Sequence, residues 1–117
     1  MNFDLRKLEI VLDLDMTLIH SINPQTGNNR RAMEEELERL KRDNETIAHN
    51  MFLIDFTNQG RQIYMIVAKR PGIERYLGQL NGIANLHLYT SATRDYAIRV
   101  LKEIDPSNRL FGNRIYA

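Results

Sequence analysis

Residues 9–21 read EIVLDLDMTLIHS, so the apolar run Ile10-Val11-Leu12 ends on two carboxylates, Asp13 and Asp15, with Thr17 two residues further on. Carboxylates are costly to bury unless they are paired, hydrogen-bonded or set against a cation. A strand that ends this way must present them to something, and the expectation is a reactive site at its carboxyl end. Residues 8–14 run apolar without alternation up to the first aspartate. That is the habit of a parallel strand covered by helices on both faces.

The rest of the chain supplies partners for such a strand. Residues 21–31 read as a loop from their Asn, Pro and Gly content. A helical pattern follows over 31–48, with Met33, Leu37 and Leu40 as a narrow apolar stripe and Glu35–Arg39 and Glu38–Arg42 as i,i+4 pairs. It suits a surface helix or an insertion. The apolar runs 51–57 and 62–68 flank Asn58-Gln59-Gly60-Arg61 and predict a β-hairpin. Ile73, Tyr76, Leu77 and Leu80 predict a helix with Pro71 in its first turn and Gly82 at its stop. Residues 84–90 predict a second strand, ending on Thr90. A further helix should start at Thr93 as N-cap and end at Asp105-Pro106, before a last short strand or turn in 109–117. The order strand, hairpin, helix, strand, helix, strand belongs to the α/β class.

Composition narrows the chemistry. The 117 residues suit one compact domain. There is no cysteine, which excludes disulfides, thiolate metal sites and cysteine nucleophiles. The net charge of +1 gives no reason to expect a nucleic-acid partner or an anionic membrane. No apolar run approaches the roughly 20 residues of a membrane span, and the N-terminus lacks a signal-peptide layout, so an intracellular setting is expected.

Alternate side chains on a strand share a face, so Asp13 and Asp15 are expected to converge beyond the first strand, where open α/β sheets bind ligands. Two carboxylates there suit Mg²⁺, a hard cation that takes few protein ligands. They also suit a division between nucleophile and acid–base. With Thr90 offering a hydroxyl from the neighbouring strand, the set describes phosphoryl transfer through an aspartyl-phosphate. The plain alternative is a turn-forming, helix-capping pair. His20, His49 and His87 read as structural, Arg70 as a scaffold residue, and Arg94, Arg99, Arg109 and Arg114 as solvated charges.

VLDLDMTLIHS resembles the first motif of the haloacid dehalogenase superfamily, and within it the aspartate-based phosphatases of the RNA polymerase II C-terminal domain. YMIVAKRPGIERYLGQL and NLHLYTSATRDYAIRVLKEIDPSNRLFGNRIYA are similar to later stretches of those enzymes in order and spacing. The resemblance covers residues 8–21 and 62–117. It implies a partial HAD-like, Rossmannoid parallel sheet flanked by helices, with a β-hairpin and a helical insertion at 22–50. It also implies Asp13 as the phosphorylated nucleophile and a Mg²⁺ ligand. Asp15 would be the acid and base, with its backbone carbonyl on the metal. Thr17 would orient Asp15, Thr90 would bind phosphate, and the N–H groups at Leu14 and Met16 would hold phosphate oxygens. The implied substrate is the phosphorylated polymerase tail, in the nucleus.

The family pattern continues with a lysine and further acidic residues that no position after Ala117 supplies. The expectation is therefore one C-terminally incomplete domain over 1–117, weakly active alone. Its first strand would be an exposed edge prone to dimerise or swap segments. A phosphopeptide-binding module without turnover, and a small-molecule phosphatase of the same superfamily, are the rival readings. The AKRPG and LYTSATRDYA stretches count against the latter.

Overall fold

The computed structural model describes residues 8–22 and 29–117. Leu8–Asp13 forms β1, and a tight loop leads to β2, Ile19–Ile22. Of the loop expected over 21–31, residues 23–28 lie outside the described residues, while Ser21 and Ile22 belong to β2. Helix α1, Arg30–Asp43, starts where the Asn29 side chain accepts from Ala32 N–H (2.9 Å), and a 3₁₀ segment follows at Glu45–Asn50. The ion pairs along α1 are Arg31–Glu35 and Arg39 with both Glu36 and Asp43, rather than the pairs read from spacing. Each partner still lies one turn away; Arg39 simply reaches two acids at once.

Strands β3, Met51–Asn58, and β4, Arg61–Lys69, form the expected hairpin, with Asn58 opposite Arg61. Its two-residue turn puts Gln59 (φ 52°) and Gly60 (φ 77°) in the left-handed region, the backbone that matches the strands' twist. Helix α2 spans Ile73–Asn81, β5 Ala84–Tyr89, α3 Arg94–Ile104 and β6 Ile115–Tyr116. Pro71 lies in the turn before α2 rather than in its first turn, because left-handed Gly72 takes the N-cap. Thr93 caps α3 as expected, and Asp105 ends it.

The strands sort into a parallel sheet of order β1-β5-β6 and an antiparallel sheet of order β2-β4-β3. The α/β architecture is therefore the expected one, with one correction. β1 is not buried on both faces. Ile10 and Leu12 pack on the main core, but Val11, on the opposite face, is 64% exposed. The cause is topological. From β1 to β5 to β6 the chain steps in one direction, and right-handed crossovers then set α2 and α3 on the same side. Their Ile73, Leu77, Tyr96, Ala97, Val100 and Ile104 share one core with Ala84, Leu86 and Leu88 of β5.

The strands covered on both faces are those of the hairpin. Phe52, Ile54, Met65 and Val67 join the main core, while Met51, Leu53 and Ile66 face Met33 and Leu37 of α1. The 31–48 stripe thus has a physical purpose, which is to cover the hairpin's outer face.

Candidate active site

The loop between β1 and β2 is held by its leucines. Leu14 and Leu18 are buried, and Leu18 and Ile19 both donate N–H to the Leu14 carbonyl (3.0 and 3.1 Å). Between these anchors Met16 adopts left-handed φ 66° and stands 72% exposed. Asp13 and Thr17 are exposed, and Asp15 is half-buried. Because β1 ends at Asp13, strand alternation does not extend to Asp15, whose place is set by the turn.

Asp15 is the organised group. Tyr96 donates its hydroxyl to Oδ1 at 2.6 Å, and Thr90 donates to Oδ2 at 3.3 Å while accepting from Ala92 N–H at 3.0 Å. Thr90 arrives at the end of β5, beside Asp13, because β1 and β5 pair in parallel with Asp13 opposite Tyr89. Tyr96 sits in the first turn of α3, and its ring meets Phe56 edge-on at 5.4 Å. Burial, then the neighbouring Asp15 carboxylate, push the Tyr96 phenol far above its ordinary value, so the group remains an O–H donor.

Asp15 is oriented by Tyr96 and Thr90, while Thr17 lines a separate cavity with Arg70, Gly72 and Tyr76. Thr90 is spent on Asp15 as the loop stands, so a phosphate would have to share its hydroxyl. The Leu14 N–H donates to Tyr89 O (3.1 Å) and the Met16 N–H to Ile19 O (2.8 Å). Neither amide points at an open phosphate site, because the parallel ladder claims one and the turn claims the other.

Arg99 and Arg114 are not solvated charges. Arg99 pairs with Glu103 (3.1 Å) and Asp55 (3.8 Å), and Arg114 donates to the carbonyls of Leu86 and Leu110. Sequence reasoning missed Tyr96. The available signal was a tyrosine on the apolar face of α3, whose hydroxyl needs a partner once buried.

Asp15 stands at the wall of a cavity of about 370 Å³, lined also by Phe56, Asn58, Ile63, Met65 and Tyr96. On the far side of the loop, a cavity of about 390 Å³ is lined by Met16, His20, Lys69 and Arg70. Among the described residues no group of three or more His, Asp or Glu side chains is placed to hold a metal. The Asp15 carboxylate is committed to two hydroxyls, so the donors left near the strand end are the Asp13 carboxylate and backbone carbonyls. Hard oxygens in small number fit Mg²⁺, which keeps most of its water.

A parallel sheet with an aspartate at the carboxyl end of its first strand, and a second aspartate held by hydroxyls from the end of the next strand and from the helix after it, defines a haloacid dehalogenase-type domain. The chain belongs to the NLI interacting factor-like phosphatase family, whose model matches residues 8–117. An RNA polymerase II C-terminal domain phosphatase of Saccharomyces cerevisiae is 29% identical over 94% of this chain. The C-terminal domain phosphatase-like 3 of Arabidopsis thaliana is 33% identical over 97% of it. The chain spans 17% and 8% of those two proteins. The structure of the fission yeast polymerase C-terminal domain phosphatase Fcp1 bound to beryllium fluoride superposes with TM-score 0.76 at 25% identity, over 95% of this chain and 29% of that one.

Proposed function

We propose that this chain carries the nucleophile and acid–base half of a protein phosphatase that acts on phosphoserine or phosphothreonine in the RNA polymerase II C-terminal domain. The observation that carries the reading is the Asp15 carboxylate held by Tyr96 and Thr90 at an apolar cavity, two residues from the exposed Asp13. Family membership and the names of the relatives support the reaction class and the substrate.

In this reading an Asp13 oxygen attacks phosphorus as the bond to the serine Oγ breaks, and Asp15 gives Oγ its proton. Asp15 then takes a proton from the water that attacks the aspartyl-phosphate, which frees phosphate and restores Asp13. Mg²⁺, bound by the Asp13 carboxylate and the Asp15 carbonyl, would neutralise charge on the phosphoryl oxygens. The apolar walls at Phe56, Ile63 and Met65 suit a peptide with an apolar or ring residue beside the phosphoserine, and favour a protein substrate over a small molecule. Such a substrate places the protein in the nucleus.

A second reading, phosphopeptide binding without turnover, is favoured by the sparse donor set for a metal. The test is Mg²⁺-dependent phosphate release from a doubly phosphorylated Tyr-Ser-Pro-Thr-Ser-Pro-Ser peptide. Turnover that Asp13→Asn lowers by about 10³-fold or more supports the enzyme. Peptide binding without phosphate release supports the second reading.

A further inference from the structure

Tyr96 and Thr90 hold the two oxygens of one carboxylate, and they do so unequally. The Tyr96 contact is short, 2.6 Å, and comes from a ring that is 4% exposed, fixed in the first turn of α3 and packed edge-on against Phe56 of β3. The Thr90 contact is longer, 3.3 Å, and comes from a hydroxyl that turns freely about its C–O bond and already accepts from Ala92 N–H. One oxygen of Asp15 therefore has a rigid donor and the other an exchangeable partner.

We propose that Tyr96 is a positioning residue for Asp15, and that by fixing Oδ1 it makes Oδ2 the oxygen that moves the proton. The inference rests on Asp15 being the acid and base of the reading above. With Asp15 protonated, Oδ2–H donates to the Thr90 oxygen, whose hydroxyl has turned away. As the P–Oγ bond breaks and the Asp13 O–P bond forms, the Oδ2–H bond breaks and its proton passes to the leaving serine Oγ. In the second half, Oδ2 takes the proton of the water whose oxygen attacks phosphorus and displaces Asp13. Throughout, Tyr96 keeps its own proton and its bond to Oδ1, so the carboxylate does not rotate between the two transfers. Tyr96 touches neither substrate phosphorus nor leaving group in this scheme. It acts through Asp15.

A loss of this kind has a signature that a loss of packing lacks. General-acid assistance matters for a poor leaving group such as a serine alkoxide, and little for p-nitrophenolate, which leaves unprotonated. Tyr96→Phe keeps the ring against Phe56 and removes only the hydroxyl. The experiment measures kcat and KM of the wild-type chain and Tyr96→Phe with the phosphoserine peptide, follows the first-turnover and steady-state release of p-nitrophenolate from p-nitrophenyl phosphate, and checks folding of both by urea unfolding. The expected result is a kcat on the peptide lowered at least tenfold with a KM within about twofold, and a first-turnover release of p-nitrophenolate within about twofold, followed by a steady state slowed with the second proton transfer.

An equal fall in peptide turnover and in first-turnover p-nitrophenolate release, a rise in KM alone, or no change would overturn the assignment while leaving the phosphatase reading intact. A wild-type chain that hydrolyses neither substrate refutes that reading instead. In that case a double-mutant cycle of Tyr96→Phe with Asp15→Ala in urea unfolding, showing coupling, assigns the contact to stability alone and overturns the proposal as well.

Discussion

At the scale of single residues, the site is built from groups whose partners lie far away in sequence. Asp15 finds Thr90 and Tyr96, 75 and 81 positions on. A motif can mark Asp13, Asp15 and Thr17 as unusual, but it cannot say which hydroxyl meets which oxygen, and it is Thr90, with Tyr96, whose hydroxyl reaches Asp15. Asp105 shows the opposite case, in which the partners are local. Its side chain, nearly buried, accepts N–H bonds from Arg109, Leu110 and Phe111 at 3.0–3.2 Å and so turns the chain from α3 toward β6. Asp105-Pro106 read as a helix end in the sequence, and the three bonds are what that end does. Asp105→Ala strands three amides beside the fully buried Phe111, and should lower stability by roughly 2–4 kcal/mol in urea unfolding. A loss near zero would mean that water replaces the carboxylate.

At the scale of elements, type and order were legible because they rest on local pattern: the hairpin turn, the Thr93 cap and the Gly82 stop appear where the sequence put them, while the 31–48 helix pattern divides into α1 and a 3₁₀ segment. The strand β2 was not legible. Four residues after a loop carry too little pattern, and its pairing with β4 is made by a distant hairpin. Pairing between β1 and β5 also recruits side chains that read as unremarkable. His87 of β5 meets Glu9 of β1 at 2.9 Å and the Tyr116 hydroxyl of β6 at 3.2 Å, and Asn85 donates to Glu9 at 2.7 Å.

The hydrogen bond to His87, then that to Asn85, hold the Glu9 carboxyl below its ordinary value of 4.5, with Arg114 adding attraction. A lowered folded-state pKa means that the carboxylate's contribution is complete above the ordinary value and disappears as pH falls through the lower one. Glu9→Gln should therefore reduce the urea midpoint at neutral pH, and the gap from wild type should close in acid. A gap that stays constant down to about pH 3 would show that the pairing, rather than the charge, is what matters.

At the scale of the molecule, the decisive fact is that β1-β5-β6 carries both of its helices on one side. The other side shows Val11, Tyr89 and Tyr116 to solvent, and among the described residues β1 is an edge of its sheet. Exposed apolar edges pair with other chains. Sedimentation velocity should show concentration-dependent self-association of this chain, and Val11→Lys should weaken it at least tenfold, about 1.4 kcal/mol. Association unchanged by Val11→Lys would place the contact elsewhere. Local pattern was enough for the α/β class, the hairpin, the helix caps and the acidic end of the first strand, because periodicity, turn residues and the cost of buried charge act over a few residues. Which face of β1 is covered, and which hydroxyls hold Asp15, emerged only in the folded chain. Those depend on crossover direction and on contacts between residues more than seventy positions apart, which no local pattern encodes.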